Sequence, residues 1–258
     1  EQSTAAGVPT PNFTYRGWNS AAENNQQHNI WRASLAYVTG AHSFKVGYQA
    51  AHEVYRQYQN ADNQLSYTFN NGVPTQFTMR IAPHIQSNRT RYDGFYVQDQ
   101  WTHQRLTVQG ALRYEHAWSW FPEGENGITA DNRFGSTYMF PRQDGVTGFH
   151  DITPRMGAAY DLFGNGKTSL KVNLSKYLET AQNGGLYTIA NPAVTYQQTT
   201  NRSWTDGNRN FIPDCDLMNP AAQNNLASGG DSCGAWSNSN FGNQFVTTRA
   251  NPDVQHGW

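Results

Sequence analysis

One segment of the 258 residues combines oxygen donors at a spacing that suits metal chemistry: Asp206-Gly207-Asn208-Arg209-Asn210-Phe211-Ile212-Pro213-Asp214-Cys215-Asp216. Asp206, Asn208, Asn210 and Asp214 fall at positions one, three, five and nine of a calcium-loop spacing, and the Ile212 carbonyl falls at seven. Calcium takes about six to eight oxygens, and alternate residues of a tight loop supply them. Phe211 stands where that spacing wants glycine, and Leu217 where it wants glutamate; Asp216 is the carboxylate able to substitute. Calcium is therefore the expected cofactor, held by Asp206, Asn208, Asn210, Ile212, Asp214 and Asp216. The same residue types also build polar turns whose side chains satisfy their own backbone, and residue types alone leave both readings open.

Other chemistry is weaker. Gly230-Asp231-Ser232-Cys233-Gly234 matches the G-x-S-x-G pattern of a nucleophilic serine. That pattern needs a strand before it and a helix after it. Residues 224–229 and 236–240 predict neither, so the stretch reads as a glycine-rich loop. Cys215 and Cys233 are the 2 cysteines, and an isolated pair in a polar region suits a disulfide in an oxidising compartment. The 8 His are scattered, without the H-E-x-x-H or Cys/His spacing of a zinc site. Glu115, His116, Glu123 and Glu125 define no paired-carboxylate geometry. Trp118 and Trp120 follow a strand that ends near His116, where amphipathic rings suit a membrane interface.

The composition bounds the classes. Apolar residues make up 37%, aromatics 14% and charged residues only 14%, against about a quarter charged in an ordinary soluble domain. A disordered chain would be poor in aromatics. The net charge of -1 gives no nucleic-acid footprint, which needs a clustered basic face. No apolar run reaches the roughly 18 residues of a spanning helix. Spanning β-strands give a much weaker signal and stay open.

Period-two alternation organises the chain. Phe44, Val46, Tyr48 and Ala50 share one face, with Ser43, Lys45, Gly47 and Gln49 on the other. The same holds for Leu106, Val108, Leu112 and Tyr114, for Met156, Ala158, Tyr160 and Leu162, and for Leu170, Val172 and Leu174. These are strands with one apolar and one polar face. Short turns are expected at Thr39-Gly40-Ala41, at Thr102-His103-Gln104 and at residues 163–167, where Asn165-Gly166 favours a tight hairpin. Residues 118–152 and the polar stretch after Leu178 are long connections, and residues 65–70 and 75–81 read as a hairpin within another. Short turns at one end and long loops at the other mark an outer-membrane barrel. The expected fold is all-β, an antiparallel up-and-down barrel that is incomplete, with barrel hairpins in residues 1–178 and a long extracellular-type loop region in residues 179–258.

Two stretches carry a family resemblance. Gly94-Phe95-Tyr96-Val97-Gln98-Asp99-Gln100-Trp101 followed by Leu106-Thr107-Val108-Gln109-Gly110-Ala111-Leu112-Arg113-Tyr114-Glu115 is similar to one barrel hairpin of the TonB-dependent receptors. Pro154-Arg155-Met156-Gly157-Ala158-Ala159-Tyr160-Asp161-Leu162-Phe163-Gly164-Asn165-Gly166-Lys167-Thr168 resembles another, and Ala41-His42-Ser43-Phe44-Lys45-Val46-Gly47-Tyr48 a third, more weakly. The closest resemblance is to the large receptors that carry a carboxypeptidase-regulatory-like N-terminal domain. It implies the bacterial outer membrane, surrounding lipid, a plug domain and TonB as partners, and uptake of a ligand. A plug domain, a TonB box and a closing C-terminal strand are not legible here, so the chain reads as part of such a barrel. Two soluble readings stand beside it: a calcium-dependent β-rich hydrolase of an ester or lactone, and a secreted carbohydrate-binding module; for either, the location is secreted or periplasmic.

Overall fold

The structure is a computed structural model that describes residues 13–17, 20–127, 133–134, 137–178, 181–249 and 251–256. It is all-β and antiparallel, and none of its sheets closes. The largest sheet is a wall built from β2 (Ser20–Thr39), β3 (His42–Ala61), β6 (His84–His103), β7 (Leu106–Phe121), β11 (Phe149–Asp161) and β12 (Ser169–Ser175). These strands lie side by side in chain order, β2-β3-β6-β7-β11-β12, with β10 (Gln143–Asp144) added at the far end of β7. The remaining strands are β1 (Phe13–Tyr15), β4 (Leu65–Asn70), β5 (Val73–Arg80), β8 (Gly124–Asn126), β9 (Tyr138–Phe140), β13 (Thr199–Thr205), β14 (Gln223–Asn224) and β15 (Ser232–Cys233).

The turn asymmetry read from the sequence is present. Thr39 pairs with His42, leaving Gly40-Ala41 as the turn, and His103 pairs with Leu106, leaving Gln104-Arg105. The second turn therefore sits later than expected, with Gln104 taking the left-handed φ of 50°. The Asn165-Gly166 pair makes no two-residue turn. Asp161 pairs with Ser169, and the loop between them is organised by the Asp161 carboxylate, which accepts the Phe163, Gly164 and Gly166 N–H groups. The Gly166 N–H leads in holding this carboxyl below its ordinary range. At the opposite end the connections are long, and they fold.

The strands alternate because their two faces meet different surroundings. One outward row runs Leu35–Val46–Val97–Leu112–Pro154 across five strands. The row above it is Ala33–Tyr48–Phe95–Tyr114–Ile152, and a lower one joins Leu106, Tyr160 and Leu170. In these rows Leu35, Val46, Phe95, Val97, Leu112, Tyr114, Ile152, Tyr160 and Leu170 are exposed, Leu35 at 70%, as is Leu174 of β12 at 68%. From Tyr114 down to Leu106 the belt matches the about 9–11 residues of a tilted membrane crossing. Tyr48, Phe95 and Tyr114 rim it on the long-loop side and Trp101 and Tyr160 near the short turns, where amphipathic rings collect at an interface.

The strands continue past the belt. Both β2 and β3 have 20 residues, about 65 Å at roughly 3.3 Å per residue, twice the about 30 Å of a hydrocarbon core. Above the wall stands a cap, a second sheet ordered β1-β4-β5-β13-β15-β14. Its core gathers Leu65, Tyr67, Phe77, Met79, Tyr196, Trp204 and Phe241, with Phe77 and Met79 fully buried. Full burial of one such side chain contributes about 1.5–3 kcal/mol. β13, from beyond Leu178, pairs with β5, so the cap draws on chain from both sides of that residue. The expected disulfide is present, Cys215 to Cys233, with both residues in this core.

Candidate functional site

The polar face of the wall forms the candidate site, and strand register builds it. Arg32, Gln49, Gly94, Glu115 and Asp151 make one inward row across β2, β3, β6, β7 and β11. Ser34, Gly47, Tyr96, Arg113 and Thr153 make the next, and Lys45, Gln98, Ala111 and Arg155 the one after. Arg113 and Glu115 lie two apart on one strand, so their side chains share a face and meet at 2.7 Å. Tyr92 donates to the same Glu115 oxygen, and Thr153 donates to the other at 3.1 Å. The Arg113 guanidinium also reaches Gln49 at 3.3 Å and lies 5.6 Å from the Tyr96 ring centroid. Gly94 makes room for this: a Cβ there would stand 2.7 Å from both the Arg113 guanidinium and the Tyr92 hydroxyl.

Chain from beyond β12 folds onto this face. Ala181 and Tyr187 pack with Ala117, Val146 and Phe149 in a second buried cluster. His256 hydrogen-bonds Asp151 at 2.7 Å and stacks on Phe149, and Lys176 reaches the other Asp151 oxygen at 3.8 Å. The Arg155 guanidinium lies over Tyr177 at 4.5 Å. The result is a chamber of about 480 Å³ lined by Arg32, Gln49, Glu53, Tyr92, Arg113, Glu115, Asp151, Arg155, Tyr177 and His256. Its donors and acceptors converge from five strands and the returning chain, an arrangement that can hold a polar solute. Its acids are already engaged, Glu53 by His28 at 3.2 Å, Glu115 by Arg113 and Asp151 by Lys176 and His256. Arg32, Lys45 and Arg155 make no ion pair among the described residues, which leaves the inward face basic toward a ligand.

The calcium-spaced loop lies in the cap, away from this chamber. Asp206 accepts the Asn210 and Phe211 N–H groups at 3.2 and 3.0 Å, Asn208 accepts the Asn210 N–H at 3.1 Å, and Asn210 accepts the Ile212 N–H at 2.7 Å. The Asn208 side-chain amide donates to Asp214, and Asp216 accepts the Met218 N–H at 3.0 Å. Arg209 and Phe211 hold the loop's bends with φ of 60° and 59°. Among the described residues, no three His, Cys, Asp or Glu side chains come together as a metal group. Ser232 sits in the two-residue β15, opposite Thr205 and Asn224. No helix follows it, and Gly234 instead donates its N–H to the Ser203 carbonyl.

Asp231, beside Ser232, was not legible as a key residue. It is fully buried and accepts from the Trp204 indole at 2.9 Å and from the Gly207 and Asp214 N–H groups at 3.0 Å each. It therefore ties both ends of the calcium-spaced loop to β13. The one hint was an acid inside a glycine-rich stretch. Trp118 and Trp120 stand on the outward face above the belt, Trp118 stacked on His116 at 4.4 Å, a position that suits the expected interface.

An antiparallel wall with a lipid-facing belt, short turns at one end and folded loops at the other defines an outer-membrane barrel protein. The chain matches the family described as outer membrane beta barrel domain over residues 1–256 and belongs to it. Its place is the bacterial outer membrane, in contact with membrane lipid. No curated protein matches the chain, and no solved structure matches it.

Proposed function

We propose that wall and cap form part of a TonB-dependent receptor that imports a ligand across the outer membrane, with the inward chamber on the ligand's route. The cap carries this reading. Long connections that are usually functional where they are ordered fold here on a core of their own, and the returning chain reaches the polar face through Tyr177, Ala181 and His256. A ligand arriving from outside would meet a shaped, charged surface before the lumen. The hairpins around Gly94–Glu115 and Pro154–Thr168 support the same reading by their resemblance to receptors of this type. A plug domain and TonB are the partners it requires.

The soluble readings, hydrolase or carbohydrate-binding module, leave Leu35, Val46, Val97 and Leu112 facing water. Contiguous exposed apolar surface of this kind marks a membrane or partner interface. The test is to isolate the intact protein from cross-linked outer membranes. TonB is expected to co-purify. Its absence, from cells whose other receptors yield it, would leave a barrel without energy coupling and sink the import reading.

A smaller reading concerns calcium. Asp206, Asn208, Asn210 and Asp214 are already drawn together by hydrogen bonds within one loop. Turning the Asn208 amide would present its oxygen, in place of its N–H, to the Asp214 carboxylate side of the loop. A ligand at about 100 times its Kd adds about 2.7 kcal/mol, so calcium is expected to raise the melting temperature of the cap by several degrees over an EDTA control. Identical melts would assign these side chains to the turn alone.

A further inference from the structure

The outward face carries a second arrangement, directly above the lipid belt. Register places His52 of β3, Arg91 of β6 and Trp118 of β7 in one row, next to the row of Trp31, Asp93, His116 and His150. Arg89 and Trp120 form the following row, and Arg56 lies one step higher. Bases and flat rings interleave. Arg91 lies 5.5 Å from the Trp118 ring centroid, and His52 stacks on Trp120 at 5.7 Å.

The charges on this face do not balance. Asp93 pairs with Arg91 at 3.3 Å and also accepts from Tyr48. Asp144, beside Trp120 on β10, is paired with Arg142 at 2.8 Å. Glu23 stands one row above Arg56 on the neighbouring β2. Among the described residues Arg89 has no carboxylate partner; it donates to the Asn88 and Tyr55 carbonyls at 2.9 and 3.4 Å. Arg56 is exposed. These groups lie above the membrane-spanning part of their strands and repel one another. Burial and then Arg56 hold Arg89 below its ordinary value, and burial and then Arg91 and Arg89 do the same to His52. Like charges held this close cost stability unless an anion outside the molecule compensates them.

We propose that this patch binds the phosphate groups of outer-leaflet lipid headgroups, with Arg56, Arg89 and Arg91 as the phosphate ligands and Trp118 and Trp120 seated at headgroup depth. Three features fit a lipid. The patch is continuous with the apolar belt, it lies on the long-loop side that faces outward in such barrels, and its rings are of the interfacial kind. Guanidinium groups match phosphate geometry through paired N–H donors. The inference does not depend on the import reading, because it concerns the opposite face of the wall.

The test uses the full chain folded in detergent micelles and checked for β-content, with diphosphorylated lipid A as probe and native mass spectrometry as readout. The wild-type chain is expected to retain the lipid. Arg56→Gln with Arg91→Gln is expected to weaken retention about tenfold or more, because it removes charge-assisted, paired N–H contacts to phosphate. Lys167→Gln with Lys171→Gln, exposed cations near the short-turn end, is expected to leave it unchanged. Inorganic pyrophosphate should not displace the lipid at matched concentration. Retention that ignores the Arg56 and Arg91 substitutions, falls with those at Lys167 and Lys171, or is matched by pyrophosphate binding would overturn the proposal. If the double variant does not fold, salt decides instead: wild-type retention must fall as ionic strength rises, and salt-insensitive retention would overturn it equally.

Discussion

Arg202→Met is expected to unfold the outer cap while the barrel wall stays paired. Arg202 lies on β13 and is 1% exposed. Its guanidinium donates to four backbone carbonyls: Gly234 at 2.7 Å, Asp216 at 3.1 Å, Asn219 at 3.0 Å and Ala221 at 2.5 Å. Those acceptors sit on irregular chain that no strand pairing organises. Burial lowers the guanidinium's affinity for its proton and nearby Asp216 raises it, so the side chain is a buried cation held by main-chain dipoles. Methionine fills much of the volume and supplies none of the donors. An unsatisfied buried polar group costs about 1–3 kcal/mol; with partial relaxation, about 3–5 kcal/mol is expected in all, similar to breaking a buried ion pair. Amide exchange in β13 and β15 should accelerate at least a hundredfold, since about 1.4 kcal/mol is tenfold, with β3 and β6 unaffected. Unchanged protection in β13 would mean that the disulfide and the Phe77–Trp204 core hold the cap without this residue. Arg202→Lys should fall between, because a single ammonium has three donors and no planar fork.

The wall was legible where lipid imposes alternation and illegible above it. Residues 33–39 and 44–50 alternate because one face meets hydrocarbon. Residues 20–29 of β2 carry no large apolar side chain, since both faces are wet there, and hydrogen bonds to β3 alone extend the strand. The cap was hidden for a different reason. Tyr196, Trp204 and Phe241 show no periodicity among their Gly, Asn and Ser neighbours; they form a core against Phe77 and Met79, far earlier in the chain. Such non-local packing leaves no local pattern. The inward site was half visible: Arg113 and Glu115 were read within a barrel hairpin, yet only register brings them beside Gln49, Tyr92 and Thr153. Asp231 lies inside the G-x-S-x-G stretch, and its role follows from folding alone, because Trp204, Gly207 and Asp214 reach it only in three dimensions.

Val97→Arg is expected to destabilise the chain in a bilayer by about 2–4 kcal/mol, the cost of arginine on the lipid face near the midplane of an outer-membrane barrel. Val97 sits between Val46 and Leu112 in the middle row of the belt and is half exposed. No acid faces it in that row, and Asp99, two residues along the same face, is already engaged by His42 at 2.7 Å, so the arginine's charged end must compete for that carboxylate, bend toward an interface or draw water in. Gln109→Arg makes the fitting contrast. Gln109 lies between Gln100 and Gly157 on the inward face, where water reaches it, so its replacement should stay within about 0.5 kcal/mol. Urea unfolding from lipid vesicles measures both. A one-residue slip in register would move every side chain to the opposite face, and the two variants would then exchange costs. Equal, small costs would mean that neither face meets hydrocarbon, and the reading of Leu35, Val46, Val97 and Leu112 as a membrane belt would fail. A cost confined to Val97→Arg would tie the alternation in the sequence to lipid on one side and solvent on the other, which is the condition for the inward rows to line a lumen at all.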